Sequence, residues 1–356
     1  MSRYIPYIIG QYPEIDDILI KVIINMGLEL GEVSISKLEP SKYSGSNNIG
    51  IFLLNVEKSN NKYTGQWILK VEYFFEEPEY PDIQTINAVK SKYPAIQDIV
   101  VLPIMIGQVE NLEYNVMSKA HGRSLYDIYK SHNSTLARPS FDEFDSYDSY
   151  VSEIEWRFEQ DRTPMTTAEV KDVYFRFGKA LGQLHNMGMD TSENNHLDFC
   201  TRLKHRDIND MNIYISAHST QLIDNSDLVN GSVIFSSPKR DLVDALLNLI
   251  ERSASEGKIT SDLFDVIGEY FVQFLQGYIN SFENKIICAK YLKKFFLEKD
   301  LCNMYGDCIV SQDYNKEFLN LLSSAIDSII AEEMGNNNCE AGNLLGCISE
   351  EIILSE

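Results

Sequence analysis

The feature that most constrains this chain is a single change of character along its length. β-Branched and aromatic runs, broken by turn residues, fill roughly the first hundred positions; from about residue 124 apolar residues recur at helical spacing. Strands are expected at Val33 to Leu38, Ile49 to Val56 and Gln66 to Tyr73, separated by Ser-Gly-Ser-Asn-Asn and Asn-Asn-Lys-Tyr-Thr-Gly. Asp82 to Tyr93 reads as a helix, with Ile83, Ile86 and Val89 on one face and Pro94 past its end. Two further extended segments are expected, Ile99 to Ile106 and Leu112 to Met117. Beyond them Thr166-x-x-Glu169 is a capping-box signal, and Val170, Val173, Phe177, Leu181 and Leu184 repeat behind it until Gly188. Asp241 to Glu251, Asp262 to Ile279 and Glu317 to Glu333 carry the same helical pattern, and a tail is expected from Gly335. The expected division is therefore 1–117, strand-rich; 118–334, helical; and 335–356, a tail. A small lobe followed by a larger one suggests a ligand cleft between them.

Composition narrows the role of such a chain. Its 31 Lys and Arg against 53 Asp and Glu give a net charge of −22. A general nucleic-acid binder needs a basic face to displace counterions, so nucleic acid is not an expected partner. The longest near-apolar run, Ile99 to Ile106, is far below the ~20 residues that span a bilayer. Glu14, Asp16 and Asp17 interrupt the N-terminal apolar stretch, which therefore does not read as a signal peptide. Cys200, Cys288, Cys302, Cys308, Cys339 and Cys347 form neither a Cys-x-x-Cys pair nor a Cys/His ligand set. They read as reduced thiols, and the expected compartment is the cytoplasm.

The most informative stretch is Lys204-His205-Arg206-Asp207-Ile208-Asn209-Asp210-Met211-Asn212-Ile213-Tyr214-Ile215, followed by Leu222-Ile223-Asp224. It resembles the protein-kinase-like superfamily, in which His-x-Asp-x-x-x-x-Asn precedes an Ile-Asp strand pair. The chemistry gives the spacing a reason. Phosphoryl transfer from ATP needs a carboxylate to orient the attacking hydroxyl and accept its proton, and oxygen ligands for Mg²⁺ on the phosphates. Five positions from Asp207 to Asn212 let one loop present a base and a metal ligand. The resemblance implies Asp207 as the base, Asn212 and Asp224 as Mg²⁺ ligands, and a structural His205. A polar turn explains Asp, Asn and Arg singly, but not three linked elements at this spacing.

Upstream, Trp67-Ile68-Leu69-Lys70-Val71 resembles the strand whose lysine meets the α/β-phosphates. Ser44-Gly45-Ser46-Asn47-Asn48-Ile49-Gly50 lies where the superfamily has its phosphate-covering turn; an ordinary hairpin turn is the alternative. Glu79 is the candidate to pair with Lys70, with Asp82 and Glu72 as competitors. Tyr114 to Leu125 resembles the hinge and Gly-x-Ser-Leu helix start of aminoglycoside and choline kinases, which implies that backbone near Met117, Ser118 and Lys119 faces adenine. Gly178-Lys179-Ala180-Leu181-Gly182-Gln183-Leu184-His185 resembles a helix of the same families, with His185 expected as a packed core residue.

The resemblance implies an α+β, bilobal protein-kinase-like fold with a small antiparallel-sheet N-lobe and a larger, mainly helical C-lobe. Arg206 is the eukaryotic protein-kinase choice. Yet Asp224 and Asp241 are only 17 positions apart, too few for a full activation segment. The aminoglycoside phosphotransferase/choline-kinase-like branch is therefore the closer one. The implied activity is transfer of the γ-phosphoryl group of ATP, with Mg²⁺, to a hydroxyl acceptor, a small molecule before a protein. Residues 140–161 hold eight acids against Arg157 alone, which either attracts a cationic acceptor or is a solvated insertion. The rival expectations are an atypical protein Ser/Thr kinase (among them a bacterial effector acting on a host target), a nucleotide-binding pseudokinase, and nucleotidyl transfer.

Overall fold

A computed structural model of the chain describes residues 12–38, 48–57, 61–74, 80–132, 166–189, 200–231, 236–253, 261–297 and 312–338. The chain divides into two units, Met1–Gly122 with Ser216–Val233, and Arg123–Ile215 with Ile234–Glu356.

The first unit is built on β1 (Val33–Leu38), β2 (Asn48–Val56), β3 (Gly65–Tyr73), β4 (Met105–Val109) and β5 (Leu112–Ser118). They form one sheet in the order β1-β2-β3-β5-β4, with all neighbours antiparallel. Because side chains alternate along a strand, Phe52, Leu54, Leu69, Val71, Tyr114 and Val116 share one buried face. Ile51, Lys70 and Asn115, paired side by side in the ladder, belong to the other face. The core face is covered by α1 (Asp16–Asn25), which contributes Ile18, Leu19, Val22 and Ile23.

That helix is an addition to the elements expected from the sequence, which place only Asp82 to Tyr93 as a helix in this region. Its apolar residues follow the i, i+3, i+4 pattern, but the acidic positions between them read as interruptions rather than as an outer face. The expected helix is α2 (Ile83–Lys92); Asp82 is its N-cap and accepts from the amides of Gln84 (2.7 Å) and Thr85 (2.9 Å). The expected extended run Ile99 to Ile106 is divided. Val100 bridges Leu222 in parallel, and β4 starts only at Met105, past Pro103, which has no N–H to offer a ladder. The returning segment of this unit holds β8 (Thr220–Leu222) and α5 (Ser226–Gly231).

In the second unit β6 (Arg123–Ser124) pairs antiparallel with β7 (Ile213–Ile215), and α3 (Leu125–His132) follows β6 directly. The remaining helices are α4 (Thr167–Met187), α6 (Lys239–Ser253), α7 (Ser261–Ile279), α8 (Lys285–Leu297) and α9 (Gln312–Asn338). The capping box at Thr166 forms as expected, with the Thr166 amide donating to Glu169 Oε2 at 2.6 Å. α4 packs closely on α7. Tyr174 stacks on Tyr270 with ring centroids 5.3 Å apart, and a Cβ on Gly178 would run into the backbone carbonyl of Phe274. Gly188 does end α4, but at φ −85° it is not left-handed. A Cβ there would collide with Thr201 Oγ1 and the Leu203 amide, so space rather than backbone freedom requires the glycine.

The described architecture is α+β: an antiparallel five-stranded sheet in one unit and mainly helices in the other. Among the described residues no helix is long and apolar enough to cross a membrane. Cys200 and Cys288 form no disulfide among the described residues, and the other four cysteines lie outside them.

Candidate functional site

The loop after His205 is organised by short polar contacts of its own. Asn209 Oδ1 accepts from the amides of Met211 (3.0 Å) and Asn212 (3.1 Å), closing an Asx turn. That turn brings Asn212 back onto Asp207. Asn212 Nδ2 donates to Asp207 Oδ2 at 2.8 Å and to the Asp207 carbonyl at 3.2 Å. With both amide hydrogens on Asp207, Asn212 Oδ1 remains as an acceptor with no hydrogen-bond partner among the described residues. Asp207 is exposed, whereas Asn212 and His205 are buried. The Asp207 amide donates to His205 Nδ1 at 3.3 Å, consistent with the structural role expected for that histidine.

The residue that holds this loop to the helical unit is Asp241, which the sequence marked only as a helix start. Its carboxylate accepts from the amides of His205 (2.6 Å) and Arg206 (2.8 Å) and from His185 Nε2 (3.0 Å). His185 Nδ1 lies 2.7 Å from the buried Tyr278 hydroxyl. His185 is thus packed in the core as expected, and also supports Asp241. Burial would push the Asp241 carboxyl up, but the hydrogen bond and charge of His185, with His205 and the Arg206 amide, outweigh it and hold it below the usual carboxylate range. Arg206 has φ +69°, a left-handed conformation of the kind that costs ~1–3 kcal/mol and persists where surroundings enforce it. The Asp241 contact to its amide is such an enforcement. Beside it, Lys204 is buried and donates to Ser236 Oγ at 2.5 Å; burial, then the nearby Arg206 charge, pushes its amine down.

In the sheet unit, Lys70 and Asp224 are brought together. Lys70 Nζ lies 3.7 Å from Asp224 Oδ1 and 3.2 Å from Glu72 Oε2. Glu72 stands two positions along β3 and so shares the Lys70 face. It was one of two competitors for this pairing; the other, Asp82, is the cap of α2. The first choice, Glu79, and the turn residues Ser44, Gly45, Ser46 and Asn47 lie outside the described residues, as does the acidic segment 140–161. Asp224 is left-handed as well, at φ +57°.

The expected hinge continues β5. Met117 is buried and pairs with Ile68, and Ser118 pairs with Trp67. The Lys119 amide donates to the Gln66 carbonyl at 3.3 Å, and its Nζ to Gln66 Oε1 at 3.1 Å. That amide is therefore already engaged within the unit.

Taken one unit at a time, oxygen donors of the kind a hard cation such as Mg²⁺ takes are present: a carboxylate at Asp224 in the sheet unit, and at Asn212 in the helical unit an amide oxygen whose own nitrogen is tied back. Among the described residues no group of three or more His, Cys, Asp or Glu is placed to hold a metal.

No known protein family matches the sequence, and no curated relative does. Among solved structures, the chain is similar to a point mutant of the PknI kinase domain of Mycobacterium tuberculosis, with 13% identity and a TM-score of 0.35 over 74% of this chain and 95% of that one. It is also similar to a chain of the Neurospora crassa complex of PAN2 (WD40-CS1) with PAN3 (pseudokinase and C-term), with 9% identity and a TM-score of 0.38. That match covers 86% of this chain and 65% of that one. Neither likeness, at these scores, carries an activity to this chain.

Proposed function

We propose that this chain is an ATP- and Mg²⁺-dependent phosphotransferase that moves the γ-phosphoryl group to a hydroxyl, with a small molecule as the favoured acceptor. The observation that carries the reading is the loop of Asp207: an exposed carboxylate fixed from one side by the Asn212 amide at 2.8 Å. In this reading Asp207 orients the acceptor hydroxyl and takes its proton as the new O–P bond forms and the bond to ADP breaks. Lys70 turns its ammonium to the phosphates, a point-charge clamp. Asn212 and Asp224 hold Mg²⁺, which when bound offsets charge on the phosphate oxygens.

The short stretch after Asp224 supports a small acceptor. α5 occupies Ser226–Gly231 and α6 begins at Lys239, which leaves little chain to form a docking segment for a protein substrate. The acid-rich residues 140–161 make hydroxylated cations the first acceptors to try. The test is incubation with γ-labelled ATP and Mg²⁺ against panels of small alcohols and of proteins. Label on a small alcohol is expected. Label confined to proteins makes the chain a protein kinase, label only from the α-phosphate makes it a nucleotidyl transferase, and nucleotide binding without any transfer makes it a pseudokinase.

A further inference from the structure

The left-handed turn at Asp224 has an unusual support. Asn225, the next residue, is fully buried; its carbonyl accepts from the Val229 amide at 3.2 Å, and its own N–H groups donate at three points. Its amide donates to the Tyr80 hydroxyl at 3.1 Å, and its Nδ2 donates to the carbonyls of Leu222 (2.9 Å) and Val101 (3.3 Å). The bond to Leu222 reaches back three residues and closes a loop around Asp224. The same Leu222 carbonyl accepts from the Val101 amide at 2.9 Å, and the Leu222 amide donates to Ile99 at 2.7 Å. Val101 and Tyr80 thereby anchor the turn to chain far away in sequence. Asn225 Oδ1 is buried with no partner among the described residues. A flipped amide would set that oxygen against two carbonyls, so the orientation is fixed by its donors, and the unmatched acceptor is tolerated for their sake.

We infer that Asn225 is the positioning residue that holds Asp224 in its left-handed conformation, with Tyr80 bracing it, so that the carboxylate is set for a divalent cation before the cation arrives. The inference rests on the proposed Mg²⁺-nucleotide role of Asp224. A packed apolar side chain at 225 would fill the same space, but it has no donors with which to close the turn. Directional hydrogen bonds to residues on both sides fix the backbone dihedral itself.

The test compares ATP binding by calorimetry with and without Mg²⁺ in wild type, Asn225→Ala, Tyr80→Phe, Asp224→Ala and the double variant Asn225→Ala/Asp224→Ala. Asn225→Ala should raise the Mg²⁺ needed for half-maximal ATP binding about tenfold, while metal-free ATP affinity stays within about twofold. Tyr80→Phe, which keeps the ring and removes the hydroxyl that accepts from the Asn225 amide, should shift it the same way by a smaller factor. In the Asp224→Ala background Asn225→Ala should add no further Mg²⁺ shift, because its effect passes through Asp224. An equal shift in both backgrounds, or parallel loss of metal-free and metal-dependent affinity, would make Asn225 merely structural and overturn the inference. Should Asn225→Ala not fold, Tyr80→Phe alone decides on the same two affinities. Wild-type ATP binding indifferent to Mg²⁺ rejects the metal site and this inference with it; Mg²⁺-dependent wild type with unaltered variants rejects this inference alone.

Discussion

Asp207 is open to solvent while Asn212 and His205 beside it are buried, a division that suits the substrate-facing role proposed for it. Asp207→Asn should lower kcat by about 10²–10⁴-fold and leave ATP affinity nearly unchanged, since an amide can still accept from Asn212 but cannot take a proton. Turnover and ATP affinity measured on the same folded variant check this; near-normal turnover removes Asp207 from the chemistry. Asp241 supports a pH prediction. Its carboxyl is held below its ordinary value of 3.8, so its contribution to stability is complete above that pH and is lost as pH falls through the lower folded-state value. Asp241→Asn should cost about 3–5 kcal/mol at neutral pH by breaking a buried pair, and should flatten the loss of stability below about pH 4. Urea melts at several pH values read both effects, and an unaltered acid limb would remove Asp241 as its source. The contact of Asp207 with Asn212 was legible in their five-position spacing, which lets one loop bring the two side chains together. Asp241 was not, because nothing local distinguishes a buried anchor from an acidic residue in the first turn of a helix. Asn225 was hidden for the same reason: its partners are Tyr80 and Val101, more than a hundred residues upstream.

Among the elements, α4 and α7 meet through glycines on both sides. A Cβ on Gly178 would enter the Phe274 carbonyl, and one on Gly277 the Phe175 carbonyl. Gly178→Ala should therefore destabilise the protein by about 1–3 kcal/mol despite alanine's better helix propensity, because neither backbone can yield as a side chain would. Gly31→Ala, with nothing within 4 Å of the added carbon, is the control and should melt within error of wild type. A thermal melt in which the two variants match would refute the close approach. Strand positions read well from sequence wherever turn chemistry bounded them; β1 falls on Val33–Leu38, as expected. α2 and α4 were announced by Asp82 and Thr166, whose side chains cap them. α1 has no side-chain cap, and α8 carries lysines among its apolar residues, so both lacked a local signal. The pairing of Val100 with Leu222 is set by tertiary structure and could not be read from either segment alone.

At the scale of the whole molecule, the sheet unit is made from two separate stretches of chain. The chain leaves it at Gly122, returns at Ser216 and leaves again after Val233. The returning stretch supplies Leu222, whose carbonyl takes the Val101 amide, and Asn225, which binds Tyr80. A fragment ending at Gly122 should therefore exchange its Val101 amide hydrogen quickly, and a peptide covering 216–233 should slow it. Exchange that is equally slow without the peptide would show that the first stretch is self-sufficient there. The same layout bears on synthesis. At about 5–20 residues per second, the ribosome needs roughly 5–20 s to add the 100 residues from Arg123 to Leu222, the partner of Ile99 and Val101. Throughout that interval the newborn sheet waits with Ile99, Val100 and Val101 unmatched, so a nascent chain stalled before residue 216 is the species most in need of a chaperone.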